Sequence, residues 1–149
     1  MILAKITAID AQASSVLQGR EAKFALMGND QPGTWEGIFH SQGEDNPWLR
    51  IKLNRKVIIS SVTIRNRLDC CGERLENLEI RAGTKNDLTN EVVGTFAGPG
   101  ATGQKHVVLF TKWVNADVLT FQLKKKNVAL QINGIYLNEE LTTIGKNSF

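Results

Sequence analysis

The sequence predicts an all-β domain, an antiparallel β-sandwich of about eight main strands. Three observations lead there. Short runs of alternating or β-branched residues recur along the chain, and Gly, Pro, Asn and Asp separate them at regular spacing. No stretch sustains a helical period of apolar residues. No internal repeat or linker divides the 149 residues, a length that fits one domain with a sizeable core. A single domain over 1–149 follows, with the polar residues 138–149 as a peripheral tail.

Near the start, Ile2, Ala4, Ile6 and Ala8 alternate with other residues and predict a first strand, and 13–17 a short second one. Residues 18–21 read as a turn, and 23–27 as a short apolar strand or helical turn. Residues 28–43 read as a long loop bearing Trp35, Phe39 and His40, and long loops with aromatics tend to carry function. After the turn at Asp45-Asn46-Pro47, Leu49, Ile51 and Leu53 alternate with Trp48, Arg50 and Lys52. The strongest strand is 57–66, with Val62, Ile64 and Asn66 on one face and Thr63, Arg65 and Arg67 on the other. A strand over 75–82 turns Leu78 and Ile80 inward. A short strand over 91–96, a Gly/Pro loop over 97–103, and strands over 105–110, 118–123 and 128–137 complete the set. Trp48 and Trp113 are expected in the core, His106 on the surface, and Lys124 to Lys126 on a solvated hairpin edge.

Composition excludes several classes. Charged residues are 22% and hydrophobic ones 42%, as in ordinary globular proteins. The net charge is +3 and the lysines are scattered, so no stripe for nucleic acid is present. No run approaches the ~18 apolar residues of a membrane span. The opening Met-Ile-Leu-Ala-Lys-Ile-Thr lacks the pattern of a secretory signal.

The stretch with chemical character is Asn66-Arg67-Leu68-Asp69-Cys70-Cys71-Gly72-Glu73-Arg74-Leu75. It ends the strongest strand, holds both cysteines of the chain, and crowds them with Arg67, Asp69 and Arg74. Neighbouring Cα atoms lie ~3.8 Å apart, below the ~4.4–6.8 Å usual across a disulfide, so a bridge here is strained and two free thiols are the plain alternative. Adjacent cysteines point apart and no second ligand pair is present, so no metal site is expected. An Arg beside an Asp is ordinarily a solvated salt bridge contributing ~0–1 kcal/mol. Only the joint spacing of these residues distinguishes them from surface decoration.

That spacing resembles the signature of the F-type lectins, or fucolectins. Their motif is a His, 26 intervening residues, an Arg, one residue, an Asp, four residues and an Arg or Lys; here it runs through His40, Arg67, Asp69 and Arg74. Asn46-Pro47-Trp48 resembles the strand start that follows the family's binding histidine. The resemblance implies a discoidin-like jelly roll that binds α-L-fucose at one end, between loops. It places His40 at the sugar's axial hydroxyl and Arg67 and Arg74 at adjacent hydroxyls and the ring oxygen. It also implies that Cys70 and Cys71 are bridged as a vicinal disulfide and give the sugar a compact apolar face. Guanidinium forks suit hydroxyl pairs, and a carboxylate at Asp69 would neutralise one charge and orient both forks. Fucose carries a methyl where other hexoses carry CH₂OH, and Leu17, Trp35 and Phe39 are candidates for an apolar niche that selects it.

The sequence departs from the family at its calcium site. Met27-Gly28-Asn29 stands where the resemblance expects Asp-Gly-Asn, and Gln131-Ile132 where it expects Cys-Glu. Met27 and Ile132 offer no side-chain oxygen, so no tight calcium site and no cofactor are expected, although Asn29 or Asp30 could compensate in part. The family's long-range disulfide is missing at both ends, Ile38 and Gln131.

The expected function is a non-catalytic lectin for terminal α-L-fucose on fucosylated glycans. Single sugar sites are weak, so a homo-oligomer or a larger multivalent assembly is expected. A vicinal disulfide needs oxidising surroundings, which points to an extracellular or cell-surface protein. Two alternatives remain open: a carbohydrate-binding module detached from a glycosidase or toxin, and a discoidin-like module binding phospholipid or protein through its loop tips. A glycosidase needs two carboxylates facing across the bond, and this stretch does not supply that pair.

Overall fold

A computed structural model describes residues 6–26 and 37–137 of the chain. Among these residues there are eight strands: β1 (Ala8–Ala13), β2 (Phe39–His40), β3 (Trp48–Arg65), β4 (Leu78–Gly83), β5 (Val92–Phe96), β6 (Lys105–Leu123), β7 (Gln131–Ile132) and β8 (Gly134–Leu137). Two 3₁₀ turns, Ala22–Leu26 and Gly72–Arg74, interrupt them. All pairings are antiparallel, in the order β1-β3-β6-β4-β5, with β8 also on β3 and a separate β2-β7 ribbon.

The long strands β3 and β6 build both layers of the sandwich. Their first pairing joins Trp48–Lys52 to Val118–Gln122, and their second joins Val57–Arg65 to Lys105–Ala116. Register shifts between Lys52 and Val57, and again between Ile59 and Ser61, let each strand turn a corner from one layer to the other. Leu49, Ile51 and Leu53 therefore face Val62, Ile64, Leu78, Ile80, Phe121 and Ile135 across one core.

Several expectations are corrected. Among the described residues the first strand is Ala8–Ala13, and 14–17 are not in a strand; Ile2 and Ala4 of the strand expected there lie outside the described residues. The strands expected at 48–53 and 57–66 are one, as are those at 105–110 and 118–123, because exposed Asn54, Arg55 and Lys56 form a bulge rather than a turn. The strand expected over 128–137 is broken at Asn133. Residues 23–27 belong to the first 3₁₀ turn as far as Leu26. Trp113 is 76% exposed rather than in the core, and Trp48 is half-buried, with the Arg50 guanidinium 5.2 Å from its ring centre. His106 is not plain surface: it stacks on Phe96 at 4.7 Å, and its Nε2 accepts a bond from the Ala101 N–H. Lys125 pairs with Glu76 at 2.8 Å. The tail 138–149 lies outside the described residues.

Candidate functional site

The cysteine turn is held in shape by its neighbours. Asn66 ends the strongest strand fully buried, and its amide nitrogen donates to the carbonyls of Gly72 (2.9 Å) and Ala101 (3.1 Å). Its Oδ1 accepts from the Arg67 N–H at 2.9 Å. The Gly72 N–H donates to Thr102 Oγ1 at 3.0 Å, and the Gly103 N–H to the Arg67 carbonyl at 2.6 Å. One loop, 97–103, thus backs the whole turn. Gly72 is required there, because a Cβ would sit 2.2 Å from the Thr102 nitrogen. Cys71, at φ 66°, takes the left-handed conformation that starts the 3₁₀ turn Gly72–Arg74 and brings Arg74 round to the surface.

Cys70 and Cys71 form a disulfide, with Cα atoms 3.7 Å apart. Asp69 binds Arg67 with both oxygens: Nε donates at 2.7 Å and Nη2 at 3.2 Å. The hydrogen bonds from Arg67 hold the Asp69 carboxyl below the usual carboxylate range. Here the expectation is corrected, since Asp69 orients Arg67 and not both arginines. The exposed Arg74 guanidinium has no hydrogen-bond or ion-pair partner among the described residues, so its donors face solvent.

His40 comes to the site from β2. Its strand β2 pairs with β7, and its carbonyl accepts from the Leu17 N–H at 2.9 Å. The ring is buried, and its Nδ1 lies 2.6 Å from the Ser41 carbonyl. That carbonyl fixes Nδ1 as the protonated nitrogen and leaves Nε2 as the acceptor of the neutral ring. Burial lowers the pKa of His40; the Ser41 bond opposes this, and the charges of Arg67, Arg74 and Arg20 lower it further. A cavity of about 400 Å³ is lined by His40, Arg74, Gly43, Asn127, Val128 and Ala129. A larger groove of about 520 Å³ lies along β1 beside Ala11, Ala13 and Ala22, and carries no comparable set of arginine donors.

The structure thus joins His40 and Arg74 in one cavity, whose lining includes neither Arg67 nor the cysteines; the Arg67 charge lowers the His40 pKa. Half-buried Leu17 flanks His40. Phe39 is corrected: it is fully buried in the core and presents nothing to a ligand. Trp35 and Met27 lie outside the described residues. Ile132 is a core residue, and the amide of neighbouring Gln131, opposite His40, is buried without a hydrogen-bond partner among the described residues. Among the described residues no group of three or more His, Cys, Asp or Glu is placed to hold a metal ion. Sequence reading missed Asn66, Gly72, Thr102 and the 127–129 wall. Asn66 and Gly72 frame the cysteines and carried a signal; the 127–129 wall carried none.

The site can do three things chemically. Two guanidinium groups can donate to neighbouring hydroxyls, a neutral imidazole can accept from one, and a disulfide beside them offers a flat, uncharged contact.

Comparison with known proteins agrees with this geometry. The family model of the NedA-like, galactose-binding domain matches residues 25–121. Fucolectin of Anguilla anguilla is 42% identical over 84 residues, which are 52% of this chain and 53% of that protein. Fucolectin-1 of Anguilla japonica is 32% identical over 118 residues, 77% of this chain and 66% of the relative. The chain thus spans about half to two thirds of the length of these relatives. Among solved structures, an F-lectin from Morone saxatilis serum superposes with a TM-score of 0.78 at 30% identity, covering 86% of this chain and 45% of that one. The lectin domain of lectinolysin, complexed with Lewis B antigen, superposes with a TM-score of 0.72 at 25% identity, covering 89% and 93%. The resemblance to the F-type lectins and the discoidin-like sandwich are borne out.

Proposed function

Because the chain belongs to the NedA-like, galactose-binding domain family, we propose that it is a non-catalytic lectin recognising terminal α-L-fucose on extracellular glycans. The observation that carries the reading is the meeting of His40 and Arg74 in one cavity, next to Arg67 and the Cys70–Cys71 disulfide. A pyranose needs donors at its hydroxyl edge and an apolar surface at its face. Arg74 supplies unengaged donors, Arg67 a fork already oriented by Asp69, and His40 Nε2 an acceptor for the axial hydroxyl. The disulfide packs against the C–H face. Leu17, whose N–H bonds the His40 carbonyl, is a candidate for the contact with the methyl group, and Trp35 is a further one. The relatives named fucolectin support the choice of fucose, and the printed name of the family supports galactose as the second ligand to try.

Chemistry at a glycosidic bond is not proposed, because Asp69 is committed to Arg67 and the cysteines are bridged. Titration calorimetry tests the reading with L-fucose and D-galactose side by side. Saturable heat with L-fucose, weaker heat with D-galactose, and loss of both in Arg74→Ala are expected. Silence with both sugars from folded protein would overturn it.

A further inference from the structure

The cavity that His40 and Arg74 share has a wall that L-fucose does not need. Beyond those two residues it is lined by Gly43, Asn127, Val128 and Ala129, and by neither Arg67 nor the cysteines. A sugar held among Arg67, Arg74 and the disulfide leaves this part of the cavity open. A pyranose displaces about five waters, and at ~30 Å³ of liquid volume each that is about 150 Å³. The cavity of about 400 Å³ has room for a second ring beside the first.

The wall is held in place by its own hydrogen bonds. Glu44 and Val128 exchange backbone bonds at 3.1 and 3.0 Å, the Leu130 N–H donates to Ser41 Oγ at 2.8 Å, and the Asn46 N–H donates to the Lys125 carbonyl at 2.8 Å. Asn127 takes φ 51°, a left-handed conformation that asparagine tolerates, and its N–H donates to Asp45 Oδ1 at 2.9 Å. Its side chain lies toward Gly43, where an added Cβ would meet Asn127 Oδ1 at 3.9 Å and nothing closer. The side-chain amide of Asn127 has no hydrogen-bond partner among the described residues. A fixed backbone thus presents an unengaged amide next to the half-buried Val128 and the buried Ala129.

We propose that this wall is a subsite for the sugar attached to fucose, and that Asn127 selects a 2-acetamido sugar there. The proposal rests on the lectin reading of the same site. The acetamido carbonyl accepts from Asn127 Nδ2, a neighbouring hydroxyl donates to Oδ1, and the acetamido methyl packs on Val128 and Ala129. A hydroxyl in place of the acetamido group would leave that apolar surface uncovered, which is the basis of the choice. Because the wall is ordered before the ligand arrives, little is lost in fixing it. Arg74 lines the same cavity, so its donors serve the boundary between the two rings.

Titration calorimetry tests this with L-fucose, α-L-fucosyl-N-acetyl-D-glucosamine and α-L-fucosyl-D-glucose, the disaccharides linked in turn through each hydroxyl that the two second rings share. In one linkage the acetamido disaccharide should bind about tenfold tighter than L-fucose and than its glucose counterpart, the worth of one hydrogen bond and a buried methyl. Asn127→Gly, which suits the left-handed backbone, and Gly43→Leu, which fills the space beside Asn127, should both abolish that advantage and leave L-fucose affinity and the melting temperature unchanged. Equal affinity for L-fucose and every disaccharide would overturn the proposal while the lectin reading stands. So would equal affinity for the two disaccharides, an advantage that survives both variants, or variants that lose L-fucose as well, which would put the wall at the fucose itself. Silence with all three ligands from folded wild type would overturn the lectin reading and this subsite with it.

Discussion

The recognition argument turns on three side chains with different degrees of freedom. Arg67 is fixed by Asp69, His40 is fixed by the Ser41 carbonyl, and Arg74 is unengaged. Arg74→Ala should therefore weaken L-fucose binding at least ~10-fold, the loss of one charge-assisted hydrogen bond, while leaving the melting temperature unchanged; calorimetry and thermal unfolding check both. His40 is buried and its pKa is lowered, so the neutral ring belongs to the folded state. The unfolded chain takes up this proton first as pH falls below about 6.5, so stability is full above that value and declines as pH drops through the lowered folded pKa. Affinity should decline in the same window, because the imidazolium has no acceptor left. His40→Gln should flatten the stability profile there, measured by denaturant titration at several pH values. The spacing of His40, Arg67, Asp69 and Arg74 was legible in the sequence because it is a pattern along one chain. Phe39 and Trp113 were not, because an aromatic side chain looks the same in sequence whether it faces the core, as Phe39 does, or solvent, as Trp113 does.

The cysteine turn and the loop 97–103 behave as one piece of structure. Asn66 holds them together through two buried carbonyls, so Asn66→Ala should cost about 2 kcal/mol or more, read from chemical denaturation. Gly72→Ala forces backbone against the Thr102 nitrogen and should cost about 1–3 kcal/mol and also loosen sugar binding, because Arg74 is carried on the displaced turn. Strand alternation in 48–53 and 57–64 was read from sequence, and its buried positions match. Their union into a single bent strand was hidden, since Asn54, Arg55 and Lys56 have the composition of a turn while the bulge keeps the ladder running past them. The ties of Asn66 were hidden for another reason: its partners lie 6 and 35 residues away, and no local pattern records them.

The whole molecule is a two-layer scaffold built on the long strands β3 and β6, and it leaves large apolar side chains exposed along β6. The sandwich, its antiparallel pairing and its approximate strand number followed from short alternating runs and turn signals alone. The position of the site at one end required the resemblance, and the exposed face on β6 required the structure. Packing of two layers, with no metal cluster among the described residues, predicts that a chelator leaves the thermal midpoint unchanged and leaves L-fucose binding intact; a drop of several degrees would mean that a cation contributes. The most direct measurement of the central claim is a titration of isotope-labelled protein with L-fucose, followed by backbone and side-chain NMR shifts. The account predicts saturable shifts at His40, Arg67, Cys71, Gly72 and Arg74, with Trp113 and Leu109 unmoved. Shifts confined to other residues, or none at saturating sugar, would contradict it.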